Sequence, residues 1–303
     1  MKQLSLILAT LLLLSGQTAC CTITLPEMPE VNIEIPTLEV GEMRDKRETI
    51  PLSGADATTV EIRFGAGELE VEAGAPPDKL FTGRFRYNVE QWEPRVSYED
   101  NTLIIEQGGF ERDRERWGIP TGNTHNEWEL KFSPQVPIEM NFKIGAGEGD
   151  LDFTGLTLSA LDLDAGAGNF DVHFGQPNEI QMSTLSLDAG ASKLSVMGIG
   201  NANPEEVTVQ GGMGDISLDF TGKWARSADV RINAGVGSIT LRLPDNVGVQ
   251  VEAEGGLTNV EVDGLQRKGD AYVNDVFNEA EIELHIQVTT GVGSLRLIEV
   301  PND

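Results

Sequence analysis

The chain has 303 residues, room for two modest domains, with 34 glycines, 6% aromatic residues and a formal charge of −27 from 49 acidic against 22 basic side chains. That acidic excess argues against nucleic acid or an anionic membrane surface as partner, since phosphate binding depends on Lys and Arg. Both cysteines are adjacent, Cys20 and Cys21, which leaves no disulfide framework for the body of the chain.

The first predicted element is an export signal over residues 1–19. Lys2 precedes an apolar run from Leu4 to Leu14, too short to span as a stable helix, and small and polar residues follow. Gln17-Thr18-Ala19-Cys20 resembles a bacterial lipobox, with Gln17 in place of the usual aliphatic residue. The resemblance implies cleavage before an acylated Cys20, with Cys21 as the alternative acceptor, and hence a membrane partner reached through a lipid anchor. Residues 20–47 then read as an extended tether punctuated by Pro26, Pro29 and Pro36. Within it, Val31 to Leu38 alternates well enough to be an edge strand instead.

Residues 48–132 read as an N-terminal β domain. Val60–Phe64, Leu69–Glu72, Leu80–Tyr87, Arg95–Tyr98, Thr102–Glu106 and Trp128–Phe132 are strand-like runs. Between them, Phe110 to Trp128 breaks the pattern with alternating charge and a Gly118-Ile119-Pro120 turn. This stretch is either a plain solvated loop or an interaction loop carried by Phe110, Arg112, Arg114, Arg116 and Trp117, since exposed aromatic and Arg clusters anchor interfaces. The text Glu61–Gly74 and Leu80–Gln107 resembles the N-terminal domain of the bacterial toast-rack family. The marks are the Gly65-Ala66-Gly67-Glu68-Leu69 phrase, Trp92 before Pro94, and Tyr98, Asn101 and Leu103 in order.

Residues 133–303 read as a repeat array built on a short glycine phrase. The phrase is Gly65-Ala66-Gly67 in the first domain, then Gly145-Ala146-Gly147, Gly166-Ala167-Gly168, Gly190-Ala191-Ser192, Gly212-Met213-Gly214, Gly235-Val236-Gly237, Gly255-Gly256-Leu257 and Gly291-Val292-Gly293. Between Gly166 and Gly256 the copies recur every 21 to 24 residues, a spacing typical of stacked repeats. Apolar and polar residues alternate on both sides, as in Leu161–Asp164 and Phe170–Phe174, so each repeat is expected to be strand, glycine turn, strand. Such a unit cannot bury its apolar face alone and must stack on the next. A meander of ordinary hairpins is the alternative. The expected fold is therefore all-β, an N-terminal β domain followed by a glycine-turn β-solenoid. Residues 138–174 resemble the second half of toast-rack proteins. Residues 271–300 resemble the C-terminal domain of cell wall-active antibiotic response (LiaF-like) proteins and of adhesin-like domains. The resemblances imply a β-solenoid-like fold and an envelope location, and bring no catalytic motif.

No catalytic, cofactor or metal motif is found. His125, His173 and His285 lie far apart, the last two at outward strand positions, and no nucleophile is set beside a base. Gly211–Asp215 departs from the calcium-binding nonapeptide in both aspartate position and period. Aligning the repeats places Asp164, Asp188, Gln210, Asn233, Glu254 and Thr289 in one polar row, which reads as a structural ladder. The expected function is that of a non-catalytic, surface-tethered envelope lipoprotein with a structural, adhesive or envelope-stress role, its partner an envelope protein or polysaccharide. The alternative is a carbohydrate- or ligand-binding, even polysaccharide-active, solenoid.

Overall fold

The structure is a computed structural model and describes residues 37–109, 119–121 and 123–302. The expected export signal, Cys20 and most of the tether lie outside the described residues, as do Phe110, Arg112, Arg114, Arg116 and Trp117.

In chain order the strands are β1 (Thr37–Pro51), β2 (Thr58–Ala73), β3 (Lys79–Val89), β4 (Arg95–Glu99), β5 (Thr102–Glu106), β6 (Ile119–Thr121), β7 (Asn126–Phe132) and β8 (Ile138–Asp152). They continue with β9 (Leu158–His173), β10 (Met182–Met197), β11 (Pro204–Asp219), β12 (Ala228–Pro244), β13 (Gly248–Asp263), β14 (Gln266–Lys268), β15 (Ala271–Val273) and β16 (Glu283–Val300). The protein is all-β. Its main sheet runs β14-β15-β13-β16-β12-β11-β10-β9-β8-β2-β7-β3-β1-β6. All neighbours from β13 to β7 are parallel, and β3 and β1 then add antiparallel.

Each repeat is one long strand bent in the middle. The glycine phrase is the corner of that strand, whereas the sequence suggested a turn between two strands. The reason is that ladder pairing runs on both sides of the corner and through it, Ala146 against Ala167 and Gly147 against Gly168 for example. The fold-back is sharp. Phe142 and Phe153 would be about 36 Å apart along a straight strand, yet their ring centroids are 6.0 Å apart. Side-chain parity records the corner. In β9, Leu161, Leu163 and Ala165 are buried before it, and Phe170 and Val172 after it. In β10 the buried set is Leu185, Leu187 and Ala189, then Leu194 and Val196. An ordinary strand keeps one parity per face. Here odd positions give way to even ones, so both arms of the bent strand turn their apolar side chains to one shared core.

The first and second arms thus form two faces over that core. At the start of the stack the faces part: the first arm of β2 pairs with β5, and its second arm with β7. A two-residue turn at Asp100-Asn101, with φ of 49° and 61°, joins β4 to β5. Phe64, Phe85 and Trp128 close this end, with the Trp128 ring edge-on to the others at 5.0 and 5.1 Å. Buried contacts run without a break from Val60 to Leu297, across the boundary expected at 132/133. Residues 37–47, read from sequence as tether, belong to β1, because β3 offers them an antiparallel partner from Val40 to Pro51.

Candidate functional site

The glycine phrases stack into columns. The carbonyl oxygen of the first glycine in one strand points at the α-carbon of its counterpart in the next. A Cβ built on Gly145 or Gly212 would come 2.5 Å from the oxygen of Gly65 or Gly190, and one on Gly291 2.6 Å from that of Gly235. The same approach recurs at Gly166, Gly190, Gly235 and Gly256. A parallel column runs through the third position, where Gly67, Gly147, Gly168, Gly214 and Gly237 have positive φ; its other members are Ser192, Gly293 and Leu257. The middle residue points outward. Ala66, Ala146, Ala167, Ala191, Met213, Val236 and Val292 are in register along the corner, and the last three are 62%, 52% and 54% exposed.

Two buried amides stand where the corner of a preceding strand would be. Gln107 Oε1 accepts from the Gly65 and Ala66 amides at 2.8 and 3.3 Å. Asn126 Nδ2 donates to the Ala66 carbonyl at 2.7 Å and to Gln107 Oε1 at 2.9 Å, and Trp128 Nε1 donates to Asn126 Oδ1 at 3.0 Å. Sequence reasoning missed this cap, since both residues lie outside the repeat.

The second arms of β2, β8 and β9, with β7 and β10 at the sides, line an open acidic groove of about 640 Å³. Glu129, Glu70, Asp150 and Asp171 form one row across β7, β2, β8 and β9, and Glu127, Glu68, Glu148 and Asn169 form the next. Neighbours in such a row sit about 4.8 Å apart. Burial, then repulsion from Glu72, Glu129 and Asp150, raises the Glu70 carboxyl above its ordinary value, with Lys131 opposing. The charge is partly answered at the β7 side, where Arg86 and His125 hold Glu127 at 2.8 and 2.9 Å and Arg84 reaches Glu129 at 3.4 Å. Trp128 and Phe170 also border the groove but are 0% and 1% exposed, so their rings belong to the core. Chemically the groove can attract cations and hydrogen-bond donors. The repeat alignment that found the Asp164 row would have found these rows one and three residues after the phrase.

The expected polar row exists, with one change of order. Asp164, Asp188, Gln210 and Asn233 are in register on β9 to β12, but Thr289 of β16 stands next, and Glu254 of β13 follows it. The reason is topological: β16 inserts between β12 and β13. Asp162, one alternation earlier, has its carboxyl raised by burial and by Asp164 and Asp188, against Lys143. The histidines are not brought together. His125 bonds Glu127, His173 lies 3.6 Å from Asp152, and His285 lies 3.5 Å from Glu283. Among the described residues no group of His, Cys, Asp and Glu has the geometry to hold a metal ion.

The family model described as the N-terminal domain of toast_rack (DUF2154) matches residues 39–195 and, in an overlapping second match, 177–242. No curated protein matches the chain. Among solved structures, a candidate cell adhesion protein from Clostridium sporogenes is 23% identical with a TM-score of 0.47, over 86% of this chain and 100% of that one. A candidate adhesin from Bacteroides fragilis is 13% identical with a TM-score of 0.44, over 86% of this chain and 99% of that one.

Proposed function

The chain belongs to the family of the toast_rack N-terminal domain, and from that premise we propose that it is a surface-tethered, non-catalytic protein of the cell envelope whose work is structural or adhesive. One observation carries the reading. Strands β2, β8 to β12, β16 and β13 are held together by close glycine contacts into a double-faced stack whose arms turn rows of polar side chains outward. Such a stack is a stiff display surface, because its corners leave no room for slippage or repacking. The net charge of −27 keeps copies apart in solution. The apolar run from Leu4 to Leu14 followed by Cys20 supports a lipid anchor. The LiaF-like resemblance of residues 271–300 supports a link to envelope stress.

The acidic groove is what favours the second reading, a ligand- or carbohydrate-binding solenoid. Sugar-binding clefts need exposed aromatic faces as well as carboxylates, and Trp128 and Phe170 turn theirs inward. That supports the structural reading. Cell fractionation tests the anchor. Wild type should stay in the membrane pellet through a high-salt wash, while Cys20→Ser moves to the soluble exported fraction. Retention of Cys20→Ser in the washed pellet would overturn the lipid anchor. Glycan binding lost on Glu70→Gln would favour the second reading.

A further inference from the structure

We propose that the outer edge of β13, from Ala253 to Asp263, is a strand-acceptor site for an extended partner segment with glycine in register and basic residues at its outward positions. It rests on the interaction role above and names the partner class. The two ends of the stack differ. At the β2 end, β5 and β7 pair with the two arms, and Gln107 and Asn126 fill the place of a preceding corner. At the other end, β13 pairs with β16 along its length, but on its far side with β15 over Gln250–Glu252 only. Among the described residues nothing pairs with the far side of 253–263. A free strand edge presents unpaired N–H and C=O groups to any extended chain.

Two features say what that chain must be. The first is steric. Gly256 receives the carbonyl of Gly291 as every earlier glycine receives its predecessor's. By continuation of the column, the Gly256 carbonyl faces the free edge. A residue placed against it meets what Gly145 and Gly212 meet, an oxygen 2.5 Å from any Cβ, so it must be glycine. The second is electrostatic. Within the sheets, an outward acid is repeatedly answered by a cation on the adjacent strand: Asp219 by Arg242 at 2.9 Å, Glu106 by Arg63 at 3.1 Å, Glu261 by Arg296 at 3.5 Å. At the edge, Glu254 and Asp263 have only Thr289 and Ile298 beside them on β16. A basic strand on the free side would answer them. A second copy would not, since β13 against β13 sets acids against acids between two chains of charge −27. Against β16 the register of β13 shifts between Gly255 and Asn259 and is regular on both sides of that corner.

The probe is a synthetic peptide with this chain's own sequence Asn233–Leu243, which carries Gly235 and Gly237 and whose Arg242 shares a row with Asp263 through Ile298. Amide hydrogen exchange is followed on the exported full chain, so no substitution in the protein can confuse binding with misfolding. Millimolar peptide should slow exchange over 253–263 by about tenfold. A peptide with Arg242→Glu should protect less, and one with Gly235→Val not at all. Equal protection by the Gly235→Val peptide would overturn the proposal, as would protection confined to the acidic groove. So would protection of 253–263 that rises with protein concentration in the absence of peptide, which would name a second copy as the occupant. None of these outcomes depends on Cys20, so failure here is separable from failure of the anchor.

Discussion

At the scale of single residues, the cap and the groove make opposite demands on charge and burial. Asn126 is 4% exposed and holds the Ala66 carbonyl, Gln107 and the Trp128 indole at once. Asn126→Ala strands several buried polar groups and should cost about 2–4 kcal/mol, read as a shift in urea midpoint. A cost below about 0.5 kcal/mol would mean that the amides are not capping the stack. Glu70 is the reverse case. Its carboxyl is raised in the folded protein, so the folded form binds the proton more tightly than the unfolded chain. The associated stability is fully present below the ordinary value of 4.5 and is lost as pH rises through the folded value. Glu70→Gln should therefore raise the Tm at about pH 7.5 and leave it unchanged at about pH 3.5. A gain of the same size at both pH values would mean that ionisation is not the cause.

At the scale of elements, the repeat is a bent strand whose corner tolerates no side chain toward its neighbour. Gly235 faces the Gly212 carbonyl and its own carbonyl faces Gly291, so it is crowded from both sides. Gly235→Val should cost about 3 kcal/mol or more in chemical denaturation, through overpacking against backbone that cannot move aside. At Gly214 a second cause adds, because its φ of 138° is strained for any residue with a Cβ. Asp162→Ser and Ser186→Ala, on the outward side of β9 and β10, should change stability by less than about 0.5 kcal/mol. The inverse pattern, with glycine variants like wild type and outward variants unfolded, would mean that inside and outside are reversed. The alternation on each side of the corner was legible in the sequence. Its change of parity was also there, in the five-residue step from Ala165 to Phe170, but has meaning only once both arms are known to share one core.

At the scale of the molecule, core contacts run from Val60 to Leu297 and join the strands before and after residue 133. β2 supplies both faces, so the early strands and the repeat array share a strand as well as a core. Calorimetry of the chain should show one cooperative transition. Two separated transitions, the first removing only β1 to β7, would make 132/133 a thermodynamic boundary.

The sequence by itself determined the all-β class, the repeat, the outward polar row and the glycine positions, because period-two alternation and a recurring glycine phrase are local signals that stacking merely reads out. Glu254, Thr289 and Asn233 were assigned to one row from spacing alone. Only the tertiary structure decided that Thr289 lies between the other two, since strand order depends on where β16 inserts and not on chain order. It alone decided that Gln107 and Asn126 close one end while β13 leaves the other open. It also set Glu127 and Glu129 of β7, which lie outside the repeat, beside Glu68 and Glu70 of β2. Such sites are made by residues distant along the chain, and their meeting depends on how each strand bends and which neighbour it takes, neither of which a local pattern records.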